Sequence, residues 1–248
     1  MDQVFEKELV ISPSISDSSG KLSFFAAFDV FMDIAAEHAQ RLGIGMDAMA
    51  SKDLFWLTVK TQIRFQERPR MMERVTLRTW PEAPGKIRGN RSYQLARGND
   101  ILLYGKTEWA VINMKTGQLA TLDGVYPPAL TFSQPSACPE PFARITDDFS
   151  TCKESAKYRV RSTDIDIGGH MNNAAYVRAL LGCFSNDEIK QLRIAKMDVA
   201  FRKPCFEGEE LLLQRKPTGA GADLRFVKAD GSTALLVRIE AEQQTEQT

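Results

Sequence analysis

Residues 164–173 read DIDIGGHMNN. Two carboxylates, two glycines, one of the chain's two histidines and an Asn pair fall within ten residues. Asp166 and His170 are four apart, so one loop can turn a carboxylate and an imidazole toward one point. That pair suits general acid–base work on a water, or direct attack by the carboxylate. The His170 imidazole can both accept and donate a proton. Gly168 and Gly169 permit unusual torsions and close approach of a reactant. Asn172 is placed to cap a following helix, with Asn173 on that helix's apolar face securing the loop. The backbone N–H groups from Gly169 to Asn172 stand where the helix begins, a position that favours an oxyanion. Asp164 reads as a solvated strand end rather than a second acid. Turns also favour Asp, Gly and Asn, so the surrounding elements decide between a turn and a site.

A strand-like segment, Ala156–Arg161, leads into the stretch, and Asn173, Tyr176, Val177, Leu180, Leu181 and Phe184 then mark an amphipathic helix. Met197, Val199 and Phe201 alternate as a strand. Runs at Leu211–Gln214, Leu224–Val227 and Ala234–Ile239 follow, the last two joined by an Asp230-Gly231 turn. The tail EQQTEQT is polar and is expected to fray.

The first half has the same order. Phe24, Phe28, Phe31, Ala35, His38 and Leu42 share one helical face. LFWLTVKTQIRF alternates, with Leu57, Val59, Thr61, Ile63 and Phe65 one way and Thr58, Lys60, Gln62 and Arg64 the other. Strands follow near Val75–Trp80, Arg91–Ala96, Ile101–Tyr104 and Glu108–Asn113. Phe65 aligns on Phe201 at an offset of 136 residues, and Asp17-Ser18-Ser19-Gly20-Lys21-Leu22-Ser23 lies over Asp166–Asn172 at an offset of 149. Such a repeat suggests duplication. Lys21 stands at the place of His170, so only the second loop carries an imidazole. Five of eleven prolines fall between Pro127 and Pro141, which marks a connector. The expected organisation is an N-terminal unit over 1–126, a Pro-rich linker over 127–150 and a C-terminal unit over 151–248.

The 248 residues carry 32 basic and 32 acidic side chains, which argues against bulk attraction to nucleic acid or membrane. No apolar run is long enough to span a bilayer, and no basic-then-apolar start suggests a signal peptide. Cys138, Cys152, Cys183 and Cys205 show no metal-type spacing, so neither metal nor cofactor is expected and a reducing cytoplasm is the simplest compartment.

The order of these motifs resembles the acyl-acyl carrier protein thioesterase family in its bacterial form. Asp166–Asn173 looks like that family's D-x-N-x-H-V-N-N segment, and AAEHAQRLG with FWLTVKTQIRF looks like its first-half signatures. VAFRKPCFEGEEL resembles its Y-x-x-E-C strand region. The likeness runs across nearly the whole chain. It implies an α+β tandem (double) hotdog, each half a long helix packed on a curved antiparallel sheet. It also implies hydrolysis of fatty acyl thioesters in fatty acid biosynthesis and lipid metabolism, with acyl carrier protein as partner. Two departures stand out: the family's Asn is Gly168 here, and its Glu before the Cys is Pro204. The broader group of single-hotdog thioesterases often reads D-x-x-G-H-x-N-N, which Gly169 and His170 fit.

Within that resemblance Asp166 and His170 are the expected catalytic pair, Gly168, Gly169, Asn172 and Asn173 support the oxyanion and loop, and Cys205 is the alternative nucleophile. Met32, His38 and Trp56 are candidates for an acyl pocket in the first half, although His38 also reads as a satisfied core histidine. Arg64, Arg68, Arg70 and Arg74, with Lys86, Arg88 and Arg91, form a candidate face for an acidic carrier. An acyl-CoA thioesterase and a catalytically silent acyl- or carrier-binding hotdog remain alternatives, and a homodimer remains open.

Overall fold

The computed structural model describes residues 3–152 and 154–242. The opening Met1-Asp2 and all but the first residue of the EQQTEQT tail lie outside them. No helix among the described residues is long and apolar enough to cross a membrane. The chain divides into two compact units, Met1–Pro141 and Phe142–Thr248.

The first unit contains β1 (Phe5–Val10), α1 (Phe24–Arg41), α2 (Met46–Ala50), β2 (Leu54–Phe65), β3 (Arg74–Pro81), β4 (Arg88–Arg97), β5 (Asp100–Asn113) and β6 (Leu119–Ala120). Its strands pair antiparallel in the order β1-β3-β4-β5-β2, with β6 on β5. The predicted apolar face of α1 is buried from Phe24 to His38. Phe31 stacks on Tyr93 of β4 at 4.7 Å, and Phe24 meets Phe65 of β2 edge-on at 5.0 Å. Each such ring withdrawn from water contributes about 1.5–3 kcal/mol. The helix stops at Leu42, where Gly43 takes a left-handed φ of 71° that frees the chain to turn.

Two local readings are corrected. The pairing register of β2 shifts between Thr58 and Lys60, so strict alternation breaks there. Thr58 is therefore buried and Leu57 is 37% exposed, the reverse of the expected faces. The two short strands expected at 101–104 and 108–113 are one continuous strand, β5, because Lys106 and Thr107 pair with β2 and β4 on both sides.

The second unit contains β7 (Glu154–Arg159), α3 (Asn173–Leu181), α4 (Asn186–Leu192), β8 (Ile194–Phe201), β9 (Glu210–Thr218), β10 (Gly221–Lys228) and β11 (Thr233–Ala241). Its strands run β7-β9-β10-β11-β8, the order of the first unit repeated. Tyr176 of α3 packs edge-on against Phe201 of β8 at 5.9 Å. α3 ends at Leu181, so Phe184 falls beyond it. The unpredicted α4 begins with a capping box of Ser185 and Glu188, a signal present in the sequence.

The Pro-rich connector is pinned locally. Trp80 Nε1 donates to Pro135 O at 3.0 Å, and Arg64 pairs with Glu140 at 2.5 Å. Beyond Pro141, Ala143 N–H donates to Asp198 at 3.0 Å, and Phe149 packs with Ala200 and Leu236.

Candidate active site

Asp166 and His170 sit on a hairpin-like loop that ends at the start of α3. Ile165 bridges Met171, Asp166 N–H donates to His170 O at 3.0 Å, and Gly169 N–H donates to Asp166 O at 3.0 Å. Gly169 has a φ of 75°, which the turn requires and which glycine meets without strain. The Asp166 Oδ1 accepts from Gly168 N–H at 2.8 Å and lies 3.8 Å from His170 Nδ1. Both side chains are about one-quarter to one-third exposed, so solvent reaches the pair. A separation of 3.8 Å is too long for a direct hydrogen bond, yet one water can contact both groups. The His170 ring lies over Gly168, where an added Cβ would stand 3.1 Å from Nε2.

The loop is held from below. Asp164 is only 6% exposed, which corrects the solvated strand end expected for it. Its carboxylate accepts from the Tyr158 hydroxyl at 2.7 Å and from Arg161 N–H at 2.8 Å, and its carbonyl accepts from Asn172 N–H at 2.8 Å. Burial, reinforced by the neighbouring Asp164 carboxylate, pushes the Tyr158 hydroxyl up to about 12. Nothing in local composition separates a solvated Asp from a buried one; the Tyr158 partner comes from the strand before the loop.

Asn172 is the N-cap of α3, its Oδ1 accepting from Ala174 N–H at 2.9 Å, and Asn173 is half-buried at the first helical position. Three of the four N–H groups from Gly169 to Asn172 are engaged in building the loop. Gly169 donates to Asp166 O, Met171 to Cys205 O at 2.8 Å, and Asn172 to Asp164 O. The expected four-donor cradle therefore narrows to the His170 N–H, because closing the hairpin consumes the rest.

Cys205 stands against the loop through its carbonyl, while its thiol is buried. Burial pushes that thiol up from its ordinary value, with opposing effects from the Tyr176 hydroxyl and Glu209. A thiol so placed is a poor source of thiolate.

The first unit repeats the backbone bonds of this loop. Ser16 bridges Leu22, Asp17 N–H donates to Lys21 O at 2.8 Å, and Gly20 N–H donates to Asp17 O at 2.9 Å. Ser19 N–H donates to Asp17 Oδ1 at 2.9 Å, as Gly168 does to Asp166. Leu22 N–H donates to Pro69 O and Ser23 N–H to Ile15 O, both at 2.9 Å, matching Met171 with Cys205 and Asn172 with Asp164. Gly20 has a φ of 68°, like Gly169. The side chains around the acid differ. Lys21 occupies the His170 position, and Arg68 binds the Asp17 carboxylate where the second unit has Pro204. Burial alone would raise the Asp17 carboxyl, but hydrogen bonds from Ser19 and Arg68 hold it below the usual range.

The remaining candidates lie in the first unit. Met32 is half-buried on α1. His38 is buried, with Nδ1 3.0 Å from Arg91 Nη1, and since Arg only donates, this nitrogen accepts. Trp56 Nε1 donates to Ile44 O at 2.9 Å, and its ring packs with Leu42, Ile44, Met49 and Val111. Of the expected basic face, Arg64, Arg68 and Arg88 pair with Glu140, Asp17 and Glu108 and Arg91 is buried, while Arg70, Arg74 and Lys86 are exposed. Opposite charges spaced across strands neutralise part of what a linear reading groups together.

Against known proteins, residues 2–124 match the acyl-ACP thioesterase N-terminal domain, and residues 149–244 match the acyl-ACP thioesterase C-terminal domain. An acyl-[acyl-carrier-protein] hydrolase FATB3, chloroplastic, of Cuphea viscosissima is 24% identical over 194 residues, covering 71% of this chain and 46% of that protein. An oleoyl-acyl carrier protein thioesterase 2, chloroplastic, of Arabidopsis thaliana is 22% identical, covering 71% and 53%. The chain thus spans about half the length of the curated relatives it matches. The crystal structure of an acyl-ACP thioesterase from Bacteroides thetaiotaomicron superposes with a TM-score of 0.85 at 19% identity, covering 97% of this chain and 98% of that one. A 12:0-ACP thioesterase from Umbellularia californica gives 0.80 at 19% identity, covering 97% of each chain. These likenesses establish the tandem hotdog fold.

Proposed function

The chain belongs to the acyl-ACP thioesterase family, and from that premise we propose that it hydrolyses fatty acyl thioesters carried by acyl carrier protein, releasing the free fatty acid. The observation that carries the reading is the Asp166–His170 pair, left without the arginine that binds its duplicate, Asp17. Asp166 accepts a proton from a water that contacts both side chains, and that water attacks the thioester carbonyl carbon. Charge developing on the carbonyl oxygen meets the His170 N–H. The C–S bond then breaks, and the proton taken up by Asp166 passes by way of His170 to the leaving thiolate, which restores the Asp166 carboxylate. A thiolate leaves readily, so the attack step makes the larger demand on the site.

The second unit also offers a surface suited to an anionic carrier. A groove of about 520 Å³ beside the loop is lined by Lys157, Arg159 and Arg161 together with Tyr158 and Glu207. Cationic walls raise the local concentration of acidic partners. The four cysteines are free thiols, which suits a reducing compartment, and the cytoplasm is the proposed location. The test is free-thiol release from a panel of acyl carrier protein and CoA thioesters. Turnover of the carrier thioesters above the CoA set is expected. Preference for CoA would move the substrate class, and no turnover of any thioester would overturn the reading.

A further inference from the structure

The sheet face of the first unit that α1 covers carries a band of polar side chains within an otherwise apolar interior. Residues directly opposite each other on antiparallel strands point to the same face. Tyr93 lies opposite Gly105, Arg91 opposite Thr107, and Thr58 opposite Trp109. The stack of Phe31 on Tyr93 and the contact of His38 with Arg91 identify this as the α1 side.

The band holds a cation and several unpartnered polar atoms but, among the described residues, no carboxylate paired with that cation. Arg91 is 5% exposed, and its side-chain partners are the neutral atoms His38 Nδ1 and Thr79 Oγ1. Among the described residues no carboxylate lies within ion-pair distance of it. Tyr93 Oη, Thr58 Oγ1 and Trp109 Nε1 are buried without a hydrogen-bond partner. Thr107 and Trp109 approach the Tyr93 hydroxyl without completing a bond. Burying polar groups unpaired, and a guanidinium without a counter-charge, is costly. Arg91 and Trp109 Nε1 donate only, so whatever completes the band must accept. Beside a guanidinium, an oxygen atom serves that role best. Rings of Trp56, Tyr126 and Phe132 continue from Trp109 at centroid spacings of 6.3, 6.0 and 5.4 Å and supply apolar wall.

We propose that this band selects acyl chains bearing an acceptor oxygen (a hydroxyl, oxo or carboxylate group) along their length, with Tyr93 and Arg91 as the specificity-determining side chains. The proposal rests on the thioesterase reading above. Such a site is costly for a chain lacking the oxygen, because its donors then stay unpaired.

The experiment compares thioesters of one chain length that are saturated, hydroxylated, oxo-substituted or terminated by a carboxylate. In parallel, non-hydrolysable thioether analogues of the same chains, which lack the free-acid carboxylate, are titrated against intrinsic tryptophan fluorescence, which needs no turnover. At least one oxygenated chain is expected to exceed the saturated one by about tenfold in kcat/KM and in affinity. Tyr93→Phe should narrow that ratio to within about threefold. Arg91→Met should weaken the carboxylate-terminated chain more than the hydroxylated one. If Arg91→Met does not fold, Tyr93→Phe alone decides. Equal handling of all chains by the native protein, or an unchanged ratio in a folded Tyr93→Phe variant, overturns the proposal. If no thioester turns over, the functional reading fails while the fluorescence titration still decides this one.

Discussion

Arg68 grips the carboxylate of Asp17, and it also donates to Leu22 O at 3.0 Å while its guanidinium lies 4.1 Å over the Phe24 ring. The corresponding place in the second unit is Pro204, which carries neither charge nor donor. Two loops with the same backbone bonds thus differ in whether their acid is neutralised. Introducing the missing cation tests this directly. Pro204→Arg should lower turnover by about 100-fold, the scale of an acid–base group taken out of action, with the fold retained by circular dichroism. Near-native turnover in a folded variant would break the link between the free carboxylate and activity.

A related expectation concerns the number of sites. Lys21 cannot take the part of His170, since an ammonium has three donors and no acceptor. His170→Ala should remove most thioesterase activity, and Lys21→Ala should leave the chemical step largely intact. Steady-state kinetics on both variants decide it; equal losses would mean that both loops serve the reaction.

The duplication is legible in the sequence because Asp, Gly and the strand aromatics hold fixed offsets, Phe65 to Phe201 and Asp17 to Asp166. The α1 face and β2 are legible because their periodicities differ. What escapes is whatever depends on a distant partner. The burial of Asp164 depends on Tyr158, the faces of Leu57 and Thr58 on a bulge opposite Trp109, and the fate of the arginines on acids from other strands. The polar band under α1 escapes for the same reason. Tyr93, Trp109 and Thr58 read as ordinary strand residues until the register sets them on one face.

The Asp17–Arg68 pair also carries a stability signature. The folded-state pKa of Asp17 is lowered, so the pair's contribution is present above the ordinary carboxylate range and disappears as pH falls through the folded value. Asp17→Asn should therefore lower stability by about 1 kcal/mol near neutral pH, discounted for partial exposure, and the gap from native should close in acid. Thermal denaturation at a series of pH values checks it. A gap that widens on acidification contradicts the assignment.

Chain length is expected to respond to the first unit. Trp56 and Met32, proposed as acyl-pocket residues, are half-buried rather than fully enclosed. Changing either to Ala or to a bulkier apolar residue should shift the preferred acyl length in a thioester panel. If Tm falls by the several degrees expected of a truncated core residue while the length profile stays fixed, they are core alone.

The reacting group itself can be assigned by a pair of substitutions. Asp166 is partly exposed, faces His170 and has no cation bound to it, whereas the Cys205 thiol is buried and pushed up by that burial. The contact that Cys205 makes to the loop runs through its carbonyl, which any side chain preserves. Cys205→Ala should therefore stay within several-fold of native turnover. Asp166→Asn keeps the shape and the acceptor for Gly168 N–H but loses the base, and should cost at least about 100-fold in kcat. A folded but inactive Cys205→Ala beside an active Asp166→Asn would transfer the role to the thiol. So would a covalent acyl adduct on Cys205 isolated from native protein during turnover, because a carboxylate acting through water leaves no such thioester behind.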